Sequence, residues 1–444
     1  MSVVIKEIKD CPFARLADHF AGEEDVTILE SSMVNALGRF SILGRRPYHR
    51  IEEKQGRLWI NSVEQPGSFL NYTKNYLQKH REENPTGLPL VSGGMGFFAY
   101  DEGEEGTTLP KRLLLFYDQF WIADEKEKRM YFISNQKTQT IEEAKKECKE
   151  VLEQIKHTKK QEQGAGEKGA LFDFTREEYE AAVREVIRNI IEGEVYIANL
   201  TQRLFLKSEE APYALYQQMR LENPAPFSAY LHQEGYEIVC ASPERFLQVR
   251  NNEVVTRPIK GTRPRGRTPE EDICMRKELE DSQKDKSELL MIVDLERNDL
   301  NRVCIPGSVQ VEKLFSIESY ATVHHLVAQV RGVLQEDQTV MDLMEAAFPG
   351  GSITGAPKQR AMELLEELEH TRRGLYTGSI GYFSLNGDCD WNIVIRTAVW
   401  EKDGYTIGVG GGITCESDPI AEYEETLQKA KAFLEAGNKG GQNG

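Results

Sequence analysis

The chain lacks a membrane-spanning run. Its longest dense apolar stretch, residues 289–293 (LLMIV), falls far short of the roughly 20 residues that a spanning helix needs. The first ten residues, MSVVIKEIKD, hold no apolar signal core. Paired cysteines are also missing. The seven cysteines stand at 11, 148, 240, 274, 304, 389 and 415. They are scattered, odd in number and never spaced as CxxC, which excludes a zinc ribbon or disulfide framework and fits reduced thiols in the cytoplasm. Positive charge is in deficit. With 55 Lys and Arg against 72 Asp and Glu, the net charge is -17, so the chain as a whole repels nucleic acid and anionic membranes. No GxGxxG follows a strand candidate to open a helix, and there is no GxxxxGK[ST] loop and no GxSxG elbow, which removes the commonest dinucleotide, phosphate-loop and serine-hydrolase signatures. No repeat at solenoid periods is present.

What remains is a chain of 444 residues with 39% hydrophobic content, enough for a large core. Residues 1–156 read as strands with short helices. An exposed linker is expected over 157–170, where HTKKQEQGAGEKG is almost free of apolar side chains. A second region covers 171–437, and a disordered tail is expected over 438–444. Residues 90–101 and 375–385 each read as a glycine-interrupted strand pair, and residues 113–134 as a hairpin. Thr175 and Glu178 form a capping box at the head of an apolar helical stripe. Thr268 and Pro269 open another helix. Residues 286–294 continue as helix, ended by the polar stretch 295–301.

One stretch organises the rest. Residues 257–266 (RPIKGTRPRG) hold three arginines and one lysine among two prolines and two glycines. Such a composition makes a shaped loop or strand end, not a helix interior. Crowded cations disfavour the ammonium form of Lys260, and burial acts the same way. A lysine neutral near pH 7 is a nucleophile or base. Taken alone, the stretch is equally a solvated basic loop or a phosphate clamp.

Other segments carry chemistry of their own. Glu244, after a proline and among apolar residues, is a half-buried carboxylate or an ordinary partner of Arg245. Glu288 is a lone carboxylate beside the apolar 289–293 run. His324 and His325 sit in a strand candidate, so at most one faces a given site. The loop 348–358 (FPGGSITGAPK) leads into a helix whose N-terminus suits an anion. Arg396 lies in an apolar strand candidate, 391–400, and needs an anionic partner, either a structural acid or a substrate carboxylate. Glu422, Glu425 and Lys429 share one helix face.

Nine segments in this order resemble the chorismate-utilising enzymes: ASPERF (241–246), PIKGTRPRG (258–266), KSELLMIVDLERND (286–299), VHHLV (323–327), FPGGSITGAPK (348–358), GSIGY (378–382), IVIRT (393–397), GVGGGI (408–413) and AEYEETLQKA (421–430). The family includes anthranilate synthase component I, aminodeoxychorismate synthase component I, isochorismate synthase and salicylate synthase. The resemblance implies an α+β fold: large, mostly antiparallel sheets in a sandwich, helices outside, the site in a cleft. Lysine rather than alanine at position 260 is similar to the aminodeoxychorismate synthase branch, which feeds 4-aminobenzoate and folate. That branch implies attack by Lys260 on the chorismate ring at C2 with loss of the C4 hydroxyl, then attack by ammonia at C4.

By the same resemblance, Glu244 is the acid and then the base, and His325 the histidine beside the ring. Glu288 and Glu425, with Glu422 nearby, would hold Mg²⁺. Tyr376, Arg396, Gly411 and Gly412 would hold the enolpyruvyl carboxylate. Thr354 and Gly355 would contact the ring-carboxylate region, and Lys429 the metal-bound end. No cysteine stands in a glutaminase elbow, so a separate glutamine amidotransferase subunit is the implied source of ammonia. Glu30, Ser31, Arg39, Pro224 and Phe227 resemble the family's tryptophan pocket, with a filled core as the alternative. Anthranilate synthase and a catalytically silent subunit are the competing readings.

Overall fold

A computed structural model describes residues 4–9, 11–35, 37–156, 169–208, 210–320, 323–402 and 404–436. The expected tail lies outside them, as does the linker except for Gly169 and Ala170. Those two open a short strand, Gly169–Phe172, paired with Ile197–Lys207.

Alternation along the strands shows the layers. In the strand Arg112–Asp124, Leu113, Leu115 and Tyr117 join Met95, Phe97, Ile238, Cys240 and Ile380 in an inner cluster. Their neighbours Leu114 and Phe116 face the other way, against Phe69, Val340 and Met341 of two outer helices. The strand Tyr236–Ser242 repeats the pattern: Ile238 and Cys240 point inward, while Val239 and Ala241 meet Leu215, Tyr216 and Met219 of the helix Pro212–Glu222. Period-two alternation over a buried interior with helices outside is a sandwich of sheets. Among the described residues, 22 strands and ten helices form it, and the strand pairings are antiparallel. Strands from the two ends of the chain share sheets: Val26–Glu30 pairs with Phe227–Gln233, and Gly93–Phe98 with Ser379–Ser384.

The capping box of Thr175 and Glu178 heads the helix Arg176–Ile191, and Thr268 caps Pro269–Asp281. Four local expectations are corrected. Residues 90–101 and 375–385 each contribute one strand, not a pair, because that strand pairs with strands outside its own segment. The helix expected to end before residue 295 runs on as Gln283–Asn301, since Glu296 and Asp299 turn inward on the face of Ile292 and Leu300. The strand candidate 391–400 breaks into Cys389–Asn392 and Thr397–Glu401, with Arg396 between them at φ 50°. All seven cysteines are free. Among the described residues, no helix is long and apolar enough to cross a membrane.

Candidate active site

A cavity of about 720 Å³ opens where the strands Ile259–Pro264 and Gly404–Ile413 meet the helices Gln283–Asn301 and Pro419–Ala436. It falls within the size range of small-molecule sites. Lys260, Glu244, Glu288, His325, Tyr376, Arg396, Gly411, Gly412, Glu422, Glu425 and Lys429 all line it.

Lys260 reaches the cavity because its strand bulges. The pairing with Val323–Val333 shifts register between Lys260 and Thr262, at Gly261, whose φ is +76°. Lys260 Nζ donates to Ser352 O at 2.9 Å. The crowding of Lys260 by guanidiniums is not observed. Arg257 pairs with Glu318, Arg263 with Glu278 and Asp285, and Arg265 with Asp272. The charges that feel Lys260 are instead the carboxylates of Glu244, Glu288 and Glu425.

Two glycines bring these groups together. A Cβ on Gly412 would sit 3.4 Å from Lys260 Nζ and 3.7 Å from Glu288 Oε2; one on Gly411 would sit 3.1 Å from Glu422 Oε2 and 3.7 Å from Glu425 Oε1. Bare backbone therefore stands between Lys260 with Glu288 on one face of the strand and Glu422 with Glu425 on the other.

Burial sets the state of the acids. Glu244 is 5% exposed, and burial raises its pKa while contacts to Ser352, Lys260 and the Ile259 amide pull it down. It is not paired with Arg245, which binds Asp390. Burial pushes Glu288 up to about 7, against the pull of Lys260 and Lys284. Burial also raises Glu425, but Lys429, Lys284 and Lys260 outweigh it and hold the carboxyl below its usual value. The Lys429–Glu425 contact is 2.7 Å and sits at the cavity rim. Glu422 accepts from Ser417 Oγ at 2.7 Å and from Lys284 Nζ at 3.4 Å.

His325 is buried, and burial, reinforced by Arg396 and Arg257, lowers its pKa to about 3, so the ring is neutral near pH 7. Its Nδ1 lies 2.9 Å from Thr262 Oγ1. His324 faces the other way, toward Ser319 and Asp272, as strand alternation requires. Burial lowers the pKa of Arg396 too. Among the described residues, no carboxylate lies within ion-pair distance of its guanidinium. A desolvated cation without a counter-ion at a cavity wall is a built receptor for an anion.

Two of the expected residues, Thr354 and Gly355, do not line the cavity. Thr354 is fully buried, and its hydroxyl donates to Gly350 O at 2.9 Å. Gly355 packs against the neighbouring strand, where a Cβ would lie 2.2 Å from Ile197 O. The loop's contribution to the cavity is Ser352 and Ile353, so the helix N-terminus that follows does not open on it. Lys284 and Asn199 also line the cavity and were not singled out in the sequence. Lys284 had a signal, being one helical turn before Glu288; Asn199 had none.

Among the described residues, no three His, Cys, Asp or Glu side chains gather as metal ligands. Mg²⁺ asks for less, since it keeps waters and takes one or two carboxylates. Glu288, held near pH 7 by burial without an adequate counter-charge, and Glu425 at the rim supply that donor chemistry.

A second cavity, of about 250 Å³, stands where a filled core was the alternative expectation; Glu30, Ser31, Arg39 and Phe227 line it. Pro224 does not; Pro226 takes that place, because the turn before the strand Phe227–Gln233 presents the second proline.

Comparison with known proteins adds the following. The family described as chorismate binding enzyme matches residues 33–435. The chain is 35% identical over 419 residues to aminodeoxychorismate synthase component 1 of Bacillus subtilis, covering 90% of this chain and 89% of that protein. It is 34% identical over 434 residues to anthranilate synthase component 1 of Acetivibrio thermocellus, covering 91% and 88%. The crystal structure of anthranilate synthase component I from Streptococcus pneumoniae superimposes with a TM-score of 0.80 at 29% identity, covering 90% of this chain and 93% of that one.

Proposed function

This chain belongs to the chorismate binding enzyme family, and we propose that it converts chorismate and ammonia to 4-amino-4-deoxychorismate through a covalent bond to Lys260. The observation that carries the reading is the placement of one lysine amine, not an alanine methyl, between Ser352 O and the acids Glu244 and Glu288 in an anion-receiving cavity.

The residues divide the work by charge. Arg396, without a carboxylate of its own, takes the enolpyruvyl carboxylate, with Tyr376 and the Gly411–Gly412 backbone beside it. Lys260 must first lose a proton. Glu244 feels the charge of Lys260 and burial favours its neutral form, so it accepts that proton readily. The free amine then attacks ring C2, the two conjugated ring double bonds shift, and the C4–O bond breaks. Glu244 returns its proton to the departing oxygen, which leaves as water. Ammonia attacks C4, the two double bonds shift back, and the C2–N bond breaks with its electron pair returning to Lys260. Glu244 carboxylate takes the surplus proton from the new amine. Neutral His325 packs beside the ring without adding charge.

Glu288 and Glu425 would hold Mg²⁺, with Glu422 oriented by Ser417 beside them. Bound there, the ion supplies counter-charge for the ring carboxylate, with Lys429 at the same end. Enzyme stripped with EDTA is expected to lose turnover and regain it with Mg²⁺. Glu288→Gln should raise the Mg²⁺ concentration for half-activation by at least about tenfold, a loss of one charged ligand. An unchanged Mg²⁺ titration would remove Glu288 from the metal site. Arg396→Gln should raise KM for chorismate by about 10- to 100-fold, the worth of one charge-assisted contact, with the melting temperature within a few degrees of wild type.

The discriminating assay supplies chorismate, Mg²⁺ and ammonium at mildly alkaline pH. A non-aromatic amino product supports this reading, fluorescent anthranilate supports the second, and absence of turnover supports a silent subunit. The ammonia is assigned to a separate glutamine amidotransferase subunit, and the site of action to the cytoplasm. Pull-down of a glutaminase that restores glutamine-dependent turnover tests the former. For the smaller cavity we retain tryptophan as the occupant, which native mass spectrometry reads as one added ligand mass.

A further inference from the structure

The turn Gly351–Ile353 spends most of its carbonyls on the fold. Gly350 O and Gly351 O accept from the Thr354 hydroxyl, at 2.9 and 3.4 Å. Ile353 O accepts from Arg373 Nη1 at 2.9 Å. Ser352 O differs, because it takes Lys260 Nζ at 2.9 Å. The turn has little slack. A Cβ on Gly350 would lie 2.8 Å from Ile393 Cδ1, and one on Gly351 2.8 Å from Leu295 Cδ2. Ser352 is 5% exposed, lines the reaction cavity, and its hydroxyl meets the Glu244 carboxyl. Glu244 Oε1 also faces the Ile259 amide at 3.5 Å, and Ile259 precedes Lys260 in the strand Ile259–Pro264. The carbonyl and the hydroxyl of one residue thus reach the nucleophile and the acid.

We propose that Ser352 is a positioning residue for the amination, holding Lys260 by its carbonyl and Glu244 by its hydroxyl and so fixing the two relative to each other. The inference rests on the reading above, in which Lys260 gives a proton to Glu244. The Ser352 carbonyl accepts a hydrogen bond from the amine but does not take its proton, which goes to the carboxylate. A hydroxyl both donates and accepts. It donates to Glu244 as the carboxylate and accepts from it as the acid, so its hold survives the arrival and departure of the proton. Burial raises the Glu244 pKa; the Ser352 hydroxyl pulls hardest against it, ahead of Lys260 and the Ile259 amide. The remaining charged neighbours are Glu296, which feels the charge of Glu244, and Arg245, which is paired with Asp390. Without the hydroxyl, Glu244 therefore keeps its proton to higher pH, and the carboxylate that must receive the Lys260 proton forms later in a titration. Thr354 supports the same device, since its two hydrogen bonds close the turn that carries Ser352.

The test is the pH dependence of adduct formation at Lys260, followed by quenched-flow peptide mass spectrometry with chorismate and Mg²⁺. Ammonia is left out, so its own titration does not enter. Ser352→Ala removes the hydroxyl and keeps the carbonyl. Its rate at pH 7 should fall about tenfold and the acid limb of its profile should move up by about one pH unit, the size of one hydrogen bond to a charged group. KM for chorismate in steady-state turnover should stay within about twofold of wild type, because Arg396 is untouched. Ser352→Thr restores the hydroxyl and should return both rate and limb to wild type. A merely structural role would lower the melting temperature or the rate without moving the limb. An acid limb that stays in place in folded Ser352→Ala would overturn the inference and leave the amination reading intact. Wild-type enzyme that forms no adduct at Lys260 would remove the covalent amination reading itself, and the positioning role with it.

Discussion

Lys260→Ala is expected to abolish formation of the amino product, by at least about a thousandfold in kcat/KM, or roughly 4 kcal/mol of transition-state stabilisation. The size follows from the role. A side chain that merely bound substrate would cost one charged contact, about 1.5–3 kcal/mol. A nucleophile that splits one hard displacement into two easier ones has no substitute once removed. The variant should keep its fold, because Lys260 makes one hydrogen bond, to Ser352 O, and is not part of the buried core. Its affinity for chorismate should survive through Arg396. Product analysis by chromatography and a thermal melt check both halves. Turnover within tenfold of wild type in a folded variant would reject covalent catalysis.

Glu244→Gln should lower kcat by about 10²- to 10⁴-fold, the usual contribution of general acid–base catalysis, with little change in KM for chorismate. The amide is nearly isosteric and can neither take the proton of Lys260 nor deliver one to the leaving oxygen. Its environment is built for the neutral form. Glu244 is buried, and burial is what raises its pKa; its charge in turn adds to the effect of burial in raising Glu296 on the helix Gln283–Asn301. The effect on kcat without KM separates proton transfer from binding. A variant with wild-type kcat would show that another group carries the proton.

Much of the site was legible because its residues sit on regular elements. The 3.6-residue period set Glu422, Glu425 and Lys429 on one helix face, and all three line the cavity. The period of two allowed only one of His324 and His325 to face it, and it is His325. The sandwich was legible from the resemblance and agrees with the alternation of Leu113 and Leu114. What was not legible depended on contacts between distant segments. The arginines around Lys260 looked like a cationic crowd because their acids, Glu318, Glu278 and Asp272, come from elsewhere in the chain. Thr354 looked like a ligand because it neighbours Ser352 and Ile353, which line the cavity, yet the turn Gly351–Ile353 rotates it inward. Arg396 looked like a strand residue, but the break at that position turns it to the cavity.

The most direct measurement is peptide mass spectrometry of the enzyme incubated with chorismate and Mg²⁺ in the absence of ammonia. The peptide carrying Lys260 should gain the mass of chorismate less one water, and adding ammonium should discharge it. An unmodified Lys260 in a preparation that turns over as soon as ammonium is supplied would contradict the account.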